Sequence, residues 1–347
     1  MKNIILIFIL LSLLTVSVSA AEYTAPSAPE SAQKFMPGDQ ETFAEGLWYI
    51  IKNALKVLTP ELVSASRVCI CVISIVLISS VLQSFSDVSE NIIRLTCSVV
   101  IGILFFSASD TMIRLGASTV TELNDYGKLL MPVMTAAMAA QGGVSTSSAL
   151  YTGTAIFNVI LIHLITRFIV PALYIYLSLS VANSAIQQDI LNRTKCLIKG
   201  LMTWGFKILL YVFTGYISIT RVISGVVDAS ALKAAKLTIS GVVPVVGNIL
   251  SDATETILVS ASVMKTSTGV YGIFAILAIC IGPFIKVGVQ YMLLKITAAI
   301  CSMFGYKPAC SLIEDFGSGM GFVLAMTGTA CVMLLISTVC FLRGIGI

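Results

Sequence analysis

Residues 242–256 read Val-Val-Pro-Val-Val-Gly-Asn-Ile-Leu-Ser-Asp-Ala-Thr-Glu-Thr, an apolar run broken by Pro244 and Gly247 and followed at once by Asp252 and Glu255. A continuous membrane helix does not need a proline, a glycine and two carboxylates in so short a space. Backbone groups that Pro and Gly release at membrane depth need a site that is buried in protein or lined by water. The stretch therefore predicts a broken or half-inserted helix in a membrane protein.

The segment before this break is basic and amphipathic. Lys233 and Lys236 share one helical face, and Asp228 lies near the start of the same helix. Such a face typically contacts lipid headgroups or a partner at the membrane surface. The two carboxylates after the break have two interpretations. Asp252 and Glu255 have the spacing of an N-cap residue and its N3 partner, or they contact an ion or a partner protein.

Composition places most of the chain in a lipid bilayer. Hydrophobic residues make up 57% of the 347 residues and charged residues only 11%, whereas a soluble domain carries about 25% charged residues. The net charge of +4 is too small over this length to favour nucleic acid as a partner. We therefore predict an all-α, polytopic membrane helix bundle of about 6–8 transmembrane or re-entrant helices.

The N-terminus has the pattern of a secretory signal peptide. Lys2 precedes an apolar segment, and small residues favour cleavage after Ala20. An uncleaved anchor is the alternative. In both cases the segment that follows lies outside the cytoplasm.

Three regions follow from this pattern: a signal peptide (1–20), an extracytoplasmic linker with an amphipathic helix (21–66), and a multi-span membrane domain (67–347). The first part of the linker, 21–40, is rich in Pro, Ser and Ala and is expected to be disordered.

Six apolar segments predict membrane spans. They lie at 68–82, 92–109, 153–181, 201–220, 269–301 and 319–342. Between them we predict a separate interfacial helix at 110–128 and polar loops at 183–200 and 301–318. The loop at 183–200 carries Arg193, Lys195 and Lys199, which predicts a cytoplasmic location by the positive-inside rule.

A second interrupted segment lies at 129–150, where Pro132 precedes Gly142 and Gly143. Pro132 lies 39 residues before Pro171, as Pro244 lies before Pro283. Paired interrupted segments in two halves of a membrane protein point to a site at the bilayer midplane. The spacing fits an internal repeat of 129–181 and 241–300, or is a coincidence.

The motifs of common enzymes are missing from the sequence. It has no phosphate-binding loop, no H-E-x-x-H and no G-x-G-x-x-G at the start of a βαβ unit. The nine cysteines form no C-x-x-C pair, and the one histidine is distant from them in sequence. We therefore predict no enzymatic activity, no cofactor and no metal site.

His163 and Arg167 are the charged candidates within a predicted span. They are four residues apart and hence on one helix face. A charge at the centre of a membrane helix costs about 3 kcal/mol, so it is normally paired or lines a wet cavity. The pair lines an interior surface, contacts a carboxylate such as Asp252 or Glu255, or anchors a helix interface without a transport role.

The sequence resembles the stage III sporulation protein AE family of endospore-forming Firmicutes over roughly 92–347. The central part carries the resemblance through Gly225-Val226-Val227-Asp228, Ala234-Ala235-Lys236, Pro244-Val245-Val246-Gly247 and Ser251-Asp252-Ala253-Thr254-Glu255-Thr256. Met131-Pro132 followed by Gly142-Gly143 fits the same family. The resemblance supplies no catalytic residues.

The resemblance implies a location in the mother-cell membrane around the forespore, and the signal peptide predicts that the mature N-terminus lies outside the cytoplasm. It implies membership of a secretion-like channel between mother cell and forespore. The implied partners are the other membrane proteins of that channel, a separate secretion-type ATPase, a forespore membrane protein and the lipid bilayer. The alternative function is an ion- or solute-coupled secondary transporter with broken helices at its site, and a membrane scaffold without a pore is a third.

Overall fold

The computed structural model describes residues 25–38, 43–85, 90–242 and 247–343. Within these ranges, only the backbone is described for 84–85, 90, 221, 224–229, 231–242, 247–266 and 343. The described residues form helices joined by short turns and include no β-strand. This confirms the predicted all-α class.

A one-turn helix, α1, is followed by seven helices and one π-helical segment. The bounds are α1 Glu30–Gln33, α2 Phe43–Phe85, α3 Glu90–Ala140, α4 Val144–Leu164, a π-helical segment Ile165–Ile169, α5 Val170–Ile186, α6 Asp189–Val242, α7 Gly247–Ser302 and α8 Lys307–Arg343. Because α4, the π-helical segment and α5 continue one another, the body consists of six long rods.

Described ends of all six rods meet at one end of the bundle, which we call the turn end. Arg94, near the start of α3, donates from Nε to the carbonyl of Ala185 at 3.1 Å. Ser184, at the end of α5, donates to the carbonyl of Pro308 in α8 at 2.9 Å. The hydroxyl of Ser80 in α2 donates to the carbonyl of Phe304, between α7 and α8. Consecutive rods therefore run antiparallel.

The last helix, α8, lies at the centre and contacts α3, α4, α5, α6 and α7. Small residues allow this close approach, as is usual between membrane helices. A Cβ at Gly116 of α3 would lie 2.5 Å from Val323 Cγ1, and one at Gly319 would lie 2.9 Å from Leu177 Cδ2. The core is thus built around α8, whose Phe316, along with much of its length, is buried.

Six candidate spans are long and apolar enough to cross a membrane among the described residues. They are Phe43–Gln83, Asn91–Ala140, Val144–Ile186, Asp189–Thr220, Ser267–Ser302 and Lys307–Leu342. This confirms the prediction of a polytopic membrane bundle. The rods exceed one bilayer, because the 51 residues of α3 span about 76 Å and a hydrocarbon core is about 30 Å thick.

The predicted subdivision of these rods is wrong in several places. The interfacial helix expected at 110–128 is continuous with the preceding span within α3. Most of the loop expected at 183–200 is helical, because only Gln187 and Gln188 separate α5 from α6. The loop expected at 301–318 shrinks to the turn 303–306. The predicted spans stop at charged residues. A helix that is longer than the bilayer continues through such residues.

The helix break predicted at Pro132 is also wrong. Pro132 lies inside α3, which continues to Ala140. A proline removes one backbone hydrogen bond, and packing in a bundle tolerates this loss. The rod ends instead at Gln141, Gly142 and Gly143, where Gly142 adopts a φ of 89° that favours glycine.

Pro171 coincides with a local change of helix type. The π-helical segment Ile165–Ile169 directly precedes α5, whose first turn contains Pro171. The proline ring would clash with the carbonyl of Arg167, four residues earlier. A π-helical turn relieves such a clash by widening the helix.

The disorder predicted for 21–40 is wrong for the described part, 25–38. Ala28, Ala32 and Phe35 are at most 4% exposed. The Ala28 amide donates to the Tyr271 hydroxyl at 3.4 Å, and a Cβ on Gly282 would lie 3.2 Å from the Phe35 ring. This N-terminal strap, 25–38, packs on α7 because small alanines and one aromatic ring fit its surface.

The two segments of the suggested repeat differ in where the chain breaks. In 129–181 the first proline lies inside a helix, ten residues before the glycine turn. In 241–300, α6 ends at Val242 and α7 begins at Gly247, while Pro244 lies outside the described residues. The internal repeat therefore stays a prediction.

Candidate functional site

A stripe of polar side chains follows the outer face of α3. The residues recur at intervals of three or four, which keeps them on one helix face. All are exposed: Ser107, Thr111, Arg114, Ser118, Thr121, Asp125 and Lys128. We call this set the polar stripe.

The polar stripe is about as long as a bilayer core is thick. From Ser107 to Lys128 it covers about 32 Å, compared with about 30 Å of hydrocarbon. Exposed apolar side chains lie at both of its ends, because Ile103 is 66% exposed and Leu129 is 60% exposed. The opposite face of α3 is buried through residues such as Ile113 and Leu123. The helix thus presents a polar surface between two apolar ones.

A network of three side chains lies near the turn-end half of the polar stripe. Arg114 donates from Nε to Asp110 at 2.9 Å, and the Tyr174 hydroxyl of α5 donates to the same carboxylate at 2.6 Å. These residues line a groove of about 630 Å³ together with Phe106 and Val170. The arginine is largely exposed, with 76% of its side chain accessible. It can therefore contact water or an anionic group from outside.

The N-terminal strap borders the other half of the polar stripe. The Ser31 hydroxyl donates to a carboxylate oxygen of Glu122. Ser27 and Pro29 of the strap line a groove of 640 Å³ with Ser118, Asp125 and their neighbours on α3. Asp125 also pairs with Lys128 at 2.8 Å. The stripe therefore runs from an open groove to one that the strap borders.

A second polar cluster is buried near the turn end. Lys195 of α6 pairs with Asp315 of α8, with 2.6 Å between Nζ and Oδ2. The Tyr176 hydroxyl of α5 donates to Oδ1 of the same carboxylate at 3.0 Å. The two charged side chains are only 8% and 14% exposed. The cluster ties three rods together, and each charge has a partner.

His163 and Arg167 do not line the interior of the described bundle, so a contact with Asp252 or Glu255 and an anchor for a helix interface stay predictions. Both side chains are exposed on the outer surface. Neither forms an ion pair within the described part of the chain. Their common face, correctly expected from the spacing, points outward because the opposite face of this rod is occupied by core residues such as Leu161 and Ile165.

The residues around the opening stretch lie at the limit of the described structure. The side chains of Asp228, Lys233, Lys236, Asp252 and Glu255 are outside the described residues, so their predicted contacts stay predictions. The backbone alone bears on one of these roles, helix capping by Asp252.

The start of α7 excludes helix capping by Asp252. Because α7 begins at Gly247, Asp252 lies inside the helix. The N-cap interpretation of Asp252, with Glu255 at N3, is therefore wrong. Residues 248–251 already belong to the helix, which places Asp252 beyond its first turn.

Cysteines and acidic residues form no metal site in the part of the chain that the structure describes. No group of three His, Cys, Asp or Glu side chains comes together there. All nine cysteines are free thiols. Most are buried, while Cys71 and Cys196 are exposed.

Sequence reasoning missed both polar sites for identifiable reasons. Lys195 and Asp315 were assigned to loops, and 120 residues separate them. The polar stripe was recognised only as an amphipathic helix. The helical period of its polar residues marks this face in the sequence, because they recur without a break from Ser107 to Lys128.

Comparison with known proteins assigns the family. The family described as stage III sporulation protein AE matches residues 30–343. The stage III sporulation protein AE of Bacillus subtilis (strain 168) is 22% identical over 313 residues, which cover 88% of this chain and 77% of that protein. No solved structure matches the chain. Since the family match includes all six long rods, the chain belongs to the stage III sporulation protein AE family.

Proposed function

We propose that the chain is a membrane core component of a secretion-like channel between mother cell and forespore, and that the polar stripe of α3 faces its conduit. Membership of the family supports a role in sporulation. The observation that carries the channel role is the unbroken run of seven exposed polar side chains along one face of α3.

The physical argument concerns the cost of polar groups in lipid. An arginine at the centre of a membrane helix costs about 3 kcal/mol on insertion scales, and the polar stripe also contains an aspartate, a lysine and four hydroxyl side chains. Its hydroxyls bond to carbonyls of their own helix, as Thr121 does to Ala117 at 3.1 Å, but the charged groups still need water or protein. A stripe that reaches across about 30 Å of hydrocarbon fits the wall of a water-filled path.

The proposed assembly places this chain in the mother-cell membrane around the forespore. Its partners would be the other membrane proteins of the channel, a separate secretion-type ATPase and a forespore membrane protein. The absence of a phosphate-binding loop from the sequence fits an energy source on another chain. Several copies, or this chain with its partners, would enclose the conduit.

The test makes the polar stripe apolar. In an endospore-forming host that carries the gene, Thr111, Ser118 and Thr121 are all replaced by Leu. We expect spore formation to fall by at least about tenfold, as conduit walls require polar surface, while the protein remains in the membrane. The measurement is the heat-resistant spore count together with immunoblotting of the membrane fraction.

A matched control uses hydroxyls on the apolar outer faces of α4 and α6. Ser148, Thr152 and Ser218 are also exposed and also bond to carbonyls of their own helices. Replacing these three by Leu should leave the spore count unchanged. If both triple variants sporulate normally, the polar stripe does not line a conduit.

The transporter alternative has less support. It requires two broken helices at a common site, but the helix continues through Pro132 and the chain breaks instead at 141–143, in the turn between α3 and α4. Flux that persists after deletion of the partner genes, and that is lost on Asp252→Asn with Glu255→Gln, would favour this alternative. A channel component should instead lose assembly with its partners.

A further inference from the structure

The outer face of α6 carries a shallow apolar groove near the turn end. The groove has a volume of about 640 Å³ and includes Leu197, Gly200, Leu201 and Trp204 in its lining. The three large side chains are 68%, 67% and 64% exposed, respectively. No atom lies within 4 Å of a Cβ built on Gly200. Large apolar side chains around an open glycine form a depression that faces away from the bundle.

One cation is available at the rim of this groove. Arg193 lines it and forms no ion pair within the described residues, although Asp189 precedes it by one turn. The neighbouring lysines point elsewhere, because Lys195 pairs with Asp315 inside the bundle and Lys199 donates to Ser318 of α8 at 3.3 Å. The guanidinium is therefore free to bind an anion.

The groove has the dimensions of one lipid chain in one leaflet. Arg193 and Trp204 are eleven residues apart along α6, or about 16 Å. One leaflet contributes about 15 Å of the hydrocarbon core. A phosphate bound by the arginine would thus place its acyl chain along Leu197, Gly200 and Leu201 and end it near Trp204.

We propose that this groove binds an anionic phospholipid, with the headgroup phosphate on Arg193 and an acyl chain over Gly200. The occupant is a lipid because the surface belongs to a membrane-spanning rod and joins a cation at its rim to an apolar floor. Arginine is well suited to the phosphate because its planar guanidinium offers two parallel N–H donors. The site does not depend on the channel role.

Fluorescence of Trp204 tests the proposal directly. The chain has two tryptophans, so the full-length protein with Trp48→Phe reports Trp204 alone. The protein is reconstituted into phosphatidylcholine vesicles that contain either acyl-brominated phosphatidylglycerol or acyl-brominated phosphatidylcholine at the same mole fraction. From the quenching curves we expect an apparent affinity for phosphatidylglycerol about fivefold higher, as for one arginine at a membrane surface.

Two variants separate the headgroup from the acyl chain. Arg193→Gln should remove the preference for phosphatidylglycerol, whereas Lys207→Gln, at another exposed cation of α6, should keep it. Gly200→Leu fills the groove without touching the protein and should reduce quenching by both lipids. Gly215→Leu, where a Cβ also meets no atom within 4 Å, is its control.

Three outcomes would overturn the proposal. Equal quenching by the two lipids would mean ordinary contact without recognition of the headgroup. Absence of quenching by either lipid would mean that protein covers the face, as in a contact between copies of the chain. Preference that survives Arg193→Gln would place the anion elsewhere.

Discussion

The ion pair between Lys195 and Asp315 is expensive to bury and is fully partnered. Removing two charges from water costs several kcal/mol for each ion. The short contact to Lys195 and the hydroxyl of Tyr176 both act on one carboxylate, so they offset this cost. The cluster therefore specifies how α5, α6 and α8 meet. Removing one member would leave a buried polar or charged group without its partner, which destabilises the fold.

A substitution series at this cluster separates specificity from stability. Lys195→Met leaves Asp315 buried without its cation, and we expect a loss of about 3–5 kcal/mol. Lys195→Met combined with Asp315→Leu and Tyr176→Phe removes both charges and the tyrosine hydroxyl from the cluster and should be more stable than the single variant. The measurement is thermal unfolding of the purified protein in detergent. A triple variant that melts no higher than Lys195→Met would contradict this account.

Charged residues in the spans were only partly predictable from the sequence. Spacing placed His163 and Arg167 on one face correctly, but it does not say whether that face points inward. Lys195 and Asp315 meet because two distant helices pack side by side, and such a pairing has no local signal. The buried pair is thus a property of tertiary structure, whereas the shared face is a property of one helix.

At the scale of elements, contact between α4 and α6 depends on the absence of a side chain. A Cβ on Gly153 would lie 1.9 Å from Cε1 of Tyr216. The ring cannot easily move, because its hydroxyl donates to the carbonyl of Ala149 at 3.0 Å and it packs against Phe157. The two helices therefore approach as closely as a glycine permits.

Gly153→Ala should force these helices apart. Overpacking of this kind costs about 1–3 kcal/mol, and we expect a lower midpoint of thermal unfolding in detergent. The control is Gly215→Ala on the facing helix, where a Cβ meets no atom within 4 Å. Equal midpoints for Gly153→Ala and the parent protein would show that the Tyr216 ring relocates at no cost.

The bounds of the elements were the least predictable feature of the fold. The apolar segments are predictable because a run of about 20 apolar residues is typical of a membrane-spanning helix. Their continuations were missed, since the polar face of α3 resembles a surface helix when read alone. Pro132 likewise reads as a break in sequence, but packing of α3 against the central α8 holds the helix together. The strap was missed because only Phe35 marks it as a packing segment.

At the scale of the whole molecule, charge distribution predicts which end of the bundle faces the cytoplasm. The turn end carries more cations than anions among the described residues. The cations there are Arg94, Arg193, Lys195, Lys199 and Lys307, and the anions are Glu90, Asp189, Glu314 and Asp315. Because the positive-inside rule counts Lys and Arg near the ends of spans, we predict that the turn end is cytoplasmic. The strap then lies toward the opposite side, as the predicted signal peptide requires.

Labelling of two new cysteines tests this orientation in protoplasts. The exposed native thiols Cys71 and Cys196 are first replaced by Ser. Gly38→Cys, at the exposed end of the strap, should then react with a membrane-impermeant maleimide in intact protoplasts. Gln188→Cys, in the exposed turn between α5 and α6, should react only after lysis, because a cation-rich loop is retained in the cytoplasm. The reverse pattern would place the turn end outside, and the polar stripe would then open from its strap-bordered half toward the cytoplasm.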